Sequence, residues 1–143
     1  MEREATFRIV LEGPPPGVDF GLQKGRGAAY ETIQTQRSTG KDLQFEFRLA
    51  IASQAETPDL RGPLVQGPRG QRFVYLDIGT FAGQRDTPWS RRLKIPLTGI
   101  TRKMLDAALS DARKVLEARV PGTGKDGGPS CATVKPLEGW KLA

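Results

Sequence analysis

The sequence predicts a mainly β protein: an antiparallel β-sandwich or partly open β-barrel with one C-terminal α-helix packed on it. Three observations carry this. Apolar and polar residues alternate in five short runs, the period of a strand with one buried face. Seventeen glycines and eleven prolines cluster between those runs, well above the ~12% usual for the two residues together, as turns do in an all-β chain. Only one run, after residue 100, has helical spacing.

Thr6 to Glu12 places Phe7, Ile9 and Leu11 on one face, with Val10 alone off pattern. Gly13-Pro14-Pro15-Pro16-Gly17 ends that strand, because proline cannot donate to a ladder. Val18, Phe20 and Leu22 then alternate with Asp19, Gly21 and Gln23, predicting a second strand that returns beside the first; Lys24-Gly25-Arg26-Gly27 breaks it. Tyr30 to Arg37, rich in Thr and Gln, reads as an exposed or edge strand. Ser38-Thr39-Gly40-Lys41 fits a hairpin into the clearest strand, Asp42 to Ala52, which puts Leu43, Phe45, Phe47, Leu49 and Ile51 on one side.

Residues 53–61 read as a loop. Arg72 to Ile78 carries bulk on both faces, as a central strand does, and Arg91 to Leu97 is amphipathic, with Leu93, Ile95 and Leu97 inward. Met104, Leu105, Ala108, Leu109, Ala112, Val115 and Leu116 recur at helical spacing, predicting a helix over about 101–119 with Thr101 as N-cap. Residues 122–129 read as a glycine-rich linker, and 137–143 as a candidate disordered tail. The length of 143 residues fits a single globular domain.

The absence of histidine removes the side chain best suited to acid–base work near neutrality. It excludes a Ser-His-Asp or Cys-His arrangement and the commonest transition-metal ligand. A single cysteine makes no internal disulfide, which points to a reducing, cytoplasmic setting. The N-terminus lacks a signal-peptide pattern, and no stretch reaches the ~18 apolar residues of a membrane span. No cofactor, metal or membrane partner is expected, and a non-enzyme is favoured over an enzyme.

The chain's surplus positive charge sits in Arg61 to Lys103, which holds nine Lys and Arg against two Asp. Such a local field favours an anionic partner. Two loops carry most of it: 61–72, with two Gly-Pro pairs and Arg61, Arg69 and Arg72, and 84–92, where Arg85, Arg91 and Arg92 surround Trp89. Guanidinium forks bind carboxylate or phosphate in bidentate fashion, and an indole offers a stacking face. A solvated surface with Trp89 as a core plug is the competing reading. Asp77, in an otherwise bulky strand, is read as a salt-bridge partner of Arg48 or Arg92, with solvent exposure on the outer face beside Tyr75, and a ligand-binding or catalytic role, as the alternatives. Cys131 reads as a buried packing residue. Gly122-Thr123-Gly124-Lys125-Asp126 departs from a phosphate loop, with Asp126 in the Ser/Thr position. Arg102 and Lys103 sit in the first helical turn, where the dipole disfavours cations.

Four strings span nearly the whole chain: Leu11 to Phe20 (LEGPPPGVDF), Gly67-Pro68 with Arg72 to Tyr75 (RFVY), Trp89 to Leu97 (WSRRLKIPL) and Cys131 to Pro136 (CATVKP). In these the chain resembles a bacterial family, domain of unknown function 5990. The resemblance implies a small stand-alone protein and carries over no activity, substrate or catalytic residue. Function therefore rests on the charge. The leading expectation is a non-catalytic binding module for a small anionic ligand or acidic protein segment, built on Arg61, Arg69, Arg72, Arg85, Trp89, Arg91, Arg92 and Asp77. The alternatives are a nucleic-acid-binding β domain using Phe73, Tyr75 or Trp89 as stacking platforms, and a histidine-independent enzyme pairing a carboxylate with arginines.

Overall fold

In the computed structural model, which describes residues 3–26, 29–53, 58–68, 71–80 and 89–143, ten strands form two five-stranded sheets. The strands are β1 (Arg3–Glu12), β2 (Val18–Arg26), β3 (Ala29–Arg37), β4 (Leu43–Ser53), β5 (Asp59–Arg61), β6 (Phe73–Thr80), β7 (Trp89–Pro96), β8 (Leu116–Pro121), β9 (Ala132–Thr133) and β10 (Lys141–Leu142). The single helix among the described residues, α1 (Arg102–Ser110), lies between β7 and β8. Sheet A has the order β10-β8-β1-β4-β5, and sheet B the order β3-β2-β6-β7-β9. The arrangement is sandwich-like and mainly β, with no closed barrel among the described residues. The sheets are mixed, not wholly antiparallel: β8 runs parallel to β1 and β9 parallel to β7.

The expected alternation builds the core. Phe7, Ile9 and Leu11 of β1 lie between Phe45 and Leu49 of β4 and Leu116, Ala118 and Val120 of β8, all essentially buried. Sheet B answers with Phe20, Leu22, Val74, Leu76, Ile78, Leu93 and Ile95. Each such side chain contributes about 1.5–3 kcal/mol on leaving water. Val10, the off-pattern residue, is also buried, although it faces away from the core. Its register neighbours on that outer face are Gln44 and Arg119. Around it runs a lattice of ion pairs, Arg8 with Glu46 and Glu117, and Arg119 with Glu12, Asp42 and Glu117. Long charged side chains cover apolar surface with their stems.

Strand pairing departs from the sequence expectation at two turns. Gly13–Gly17 does not return β2 beside β1; it carries the chain from sheet A to sheet B. Residues 38–42 are likewise no hairpin, because β3 pairs with β2 and β4 with β1. The two crossovers are stitched together instead. The Ser38 hydroxyl donates to the Pro15 carbonyl and accepts from the Val18 amide, and the Gly13 amide donates to Asp42 Oδ1 at 2.9 Å. Local alternation defines a strand's faces without naming its neighbour. β2 also runs through the expected break at Lys24, to Arg26.

The predicted helix is half as long as its periodicity suggested. Thr101 caps it as expected, its Oγ1 accepting from the Met104 amide at 3.2 Å. Asp111 ends it, its Oδ1 accepting from the Arg113 amide at 2.9 Å, a local bond that competes with helix continuation. Leu116, Ala118 and Val120 then fit both periods, and the tertiary structure takes them as a strand beside β1.

The expected linker and tail are both docked. Gly122 approaches β1 so closely that a Cβ there would lie 2.6 Å from the Glu12 carbonyl oxygen and 2.7 Å from the Pro14 nitrogen. Residues 137–143 carry β10, which pairs with β8, and Trp140, which is 5% exposed. Its ring meets Phe7 edge-on at 5.5 Å, and its Nε1 donates to the Pro96 carbonyl at 2.9 Å, tying β10 in sheet A to β7 in sheet B.

Candidate functional site

β6 organises the candidate residues, because alternation sends its side chains to opposite faces. Val74, Leu76 and Ile78 point into the core, while Phe73, Tyr75 and Asp77 face outward. Arg72 shares the inward parity but sits at the strand's mouth. It reaches across to the edge of sheet A, where its Nη2 and Nε lie 3.1 and 3.3 Å from Asp59 Oδ1. Its Nη1 also donates to the Gly67 carbonyl at 2.8 Å. Arg61 approaches the same carboxylate through Nε at 3.1 Å. Two expected site arginines therefore converge, but on the protein's own aspartate. Asp59 is nearly buried; burial pushes its pKa upward, and the hydrogen bonds from Arg61 and Arg72 outweigh this and hold it below the usual carboxylate range.

Asp59 went unrecognised because β5 is only three residues long, too short for alternation to show. Its one signal is an aspartate beside a lone apolar residue, Leu60, at the start of the basic stretch.

Asp77 forms the expected structural ion pair, and the partner is Arg92. The two are directly opposed in register, with Nε–Oδ1 at 2.6 Å and Nη2–Oδ2 at 3.3 Å. Arg48, the other candidate, lies on β4 in sheet A, paired with Thr6. The Arg92 guanidinium also lies over the Tyr75 ring, 4.6 Å from its centre, and the Lys94 ammonium lies 5.8 Å from it. Phe73 continues the row, its ring centre 6.5 Å from that of Tyr75. Elsewhere on sheet B, Asp19 pairs with Arg37 and Lys24 with Glu31.

Arg91 is exposed and, one residue before Arg92, takes the opposite parity; its Nη1 would lie 3.7 Å from a Cβ on Gly128. Arg69, Arg85 and the Trp89 side chain lie outside the described residues. Among the described residues, the arginines expected in one patch thus separate: Arg61 and Arg72 meet at Asp59, Arg92 lies on the opposite face of sheet B with Asp77, and Arg91 joins neither. Cys131, expected to be buried, is exposed, because it precedes a two-residue strand at the edge of sheet B.

Two hollows lie away from both clusters. One, of about 470 Å³, is lined by Thr101, Arg102, Lys103 and Asp106 at the start of α1; another, of about 340 Å³, lies between β8 and the turn at 137–141. Among the described residues, no group of three or more Cys, Asp or Glu is placed to hold a metal ion, and no helix is long and apolar enough to cross a membrane.

Fold and site together define a two-sheet β protein with a cationic and aromatic outer face on β6 and β7. The chain belongs to DUF5990, a family of unknown function whose model matches residues 5–143. No curated protein and no solved structure matches it significantly.

Proposed function

We propose that this protein is a non-catalytic binding module that receives an anionic partner on the outer face of β6 and β7. The observation supporting this reading is the cancellation of Asp77 by Arg92. It neutralises the only carboxylate on those two strands together with Arg92, leaving beside the Tyr75 ring the charge of Lys94, which has no carboxylate in ion-pair range among the described residues. A cation held on a rigid sheet attracts anions without having to order a loop first. Arg61 and Arg72 are assigned a structural part in this reading, because Asp59 already occupies both guanidinium forks.

Titration calorimetry and thermal shift against nucleotides, polyphosphate and polyglutamate test the proposal. Binding that weakens as salt rises and is abolished by Lys94→Glu supports it. Binding that survives Lys94→Glu unchanged, or silence across the whole panel, refutes it.

A further inference from the structure

We infer that the hollow between β8 and the turn at 137–141 is a second binding site, which takes a free amino acid with an apolar side chain. It is independent of the β6–β7 face. Its chemistry argues first. Carboxylates (Glu12, Glu117 and Glu138) and cations (Arg119 and Lys141) line one space of about 340 Å³. Leu137, which is 46% exposed, adds an apolar wall. A simple anion would meet three carboxylates there, and a simple cation would meet two cations on a chain of net charge +6. A zwitterion with an apolar body finds a partner for each of its parts. The volume is at the low end of the ~300–1,000 Å³ of ligand sites, which suits a small molecule.

Spare bonding capacity argues second. Arg119 is shared among Glu12, Asp42 and Glu117, so it belongs to the ion-pair lattice of sheet A. Lys141 donates to Glu138 Oε2, an exposed pair of the kind that contributes little to stability. An ammonium has three hydrogens and a carboxylate two acceptor oxygens, so each partner can also bond a ligand. The amino acid's carboxylate would sit on Lys141 and its ammonium on Glu138.

The backbone argues third. Glu138 has a φ of 66°, in the left-handed region that glycine occupies without strain, yet a carboxylate stands there. The turn that presents it is firmly held. The Leu137 amide donates to the Arg119 carbonyl at 2.7 Å, Trp140 Nε1 to the Pro96 carbonyl, and Lys141 stands opposite Glu117 in the β10–β8 register. Fixed walls need no ordering when a ligand arrives.

Calorimetric titration of the whole chain tests this with L-leucine and its two half-molecules, isoamylamine, which lacks the carboxylate, and isocaproate, which lacks the ammonium. Leucine should bind, and each half-molecule should bind about tenfold more weakly or worse, the loss of one charge-assisted hydrogen bond. Glu138→Gly should weaken leucine binding about tenfold or more while the melting temperature stays at or above the parent's, because glycine relieves the backbone. Lys141→Gln should cause a similar loss, and it gives the reading if Glu138→Gly folds poorly. Silence toward leucine up to about 10 mM overturns the inference. So does a half-molecule that binds as tightly as leucine, or leucine binding left unchanged by either substitution. In each case the anion-binding face still stands, since polyphosphate and polyglutamate test it separately.

Discussion

Trp140 offers the sharpest test of how the C-terminus is held. It is 5% exposed, meets Phe7 edge-on at 5.5 Å and donates its Nε1 hydrogen to the buried Pro96 carbonyl at 2.9 Å. Trp140→Ala removes ring, edge contact and donor together, and large aromatic truncations of this kind cost about 3–5 kcal/mol. Trp140→Phe keeps most of the apolar contact but leaves Pro96 without its donor, a loss of about 1–3 kcal/mol. At this chain length 1 kcal/mol moves the melting temperature by about 3 °C. The two variants should therefore melt about 9–15 °C and about 3–9 °C below the parent. Total stability is only about 0.05–0.15 kcal/mol per residue, so the alanine variant should lose a large part of it. Far-ultraviolet circular dichroism melts, checked by urea titration, give the values. An alanine variant melting within about 2 °C of the parent would falsify the docking of residues 137–143 through this ring.

The remaining expectations concern the other points where chain segments meet. Asp59→Asn should cost about 1–3 kcal/mol by weakening the bonds to Arg61 and Arg72. Because the folded carboxyl is held below its unfolded value, this stabilisation is present above the unfolded pKa and lost as pH falls through the folded one. The gap in melting temperature between parent and Asp59→Asn should accordingly be full at pH 6 and close below about pH 4; a gap that widens in acid contradicts the pairing. Gly122→Ala should cost about 1–3 kcal/mol, because its Cβ would press on backbone atoms of Glu12 and Pro14 that have little room to yield; a neutral effect in a chemical melt would show that the 122–130 loop is not packed there. Ala112 and Leu116 separate a nine-residue helix from a longer one. Ala112→Lys should change stability by less than about 0.5 kcal/mol, because Ala112 is exposed, whereas Leu116→Ala should cost about 2–5 kcal/mol. Comparable costs at both positions would restore the longer helix.

Much of the architecture was legible because a strand's two faces are written into every second residue. Phe45, Phe47 and Leu49 announce the inner face of β4, and the bulk on both faces of Phe73 to Ile78 announces a central strand, which β6 is. The ion pair at Asp77 was legible for a related reason. A carboxylate set in a bulky strand needs a partner, and Arg92 falls opposite it once β6 and β7 pair.

Whatever depended on the choice of neighbour was not legible. Alternation cannot distinguish a hairpin from a crossover, so the turns at 13–17 and 38–42 were assigned to the wrong sheet pairings. Nor can spacing alone place Leu116, which fits a helix after Ala112 and a strand before Val120; the open flank of β1 decided for the strand. The clustering of positive charge in residues 61–103 belongs to the sequence. Its division between Asp59 on one side of β6 and Asp77 with Tyr75 on the other belongs to the fold, because adjacent residues of a strand point in opposite directions and only packing supplies their partners.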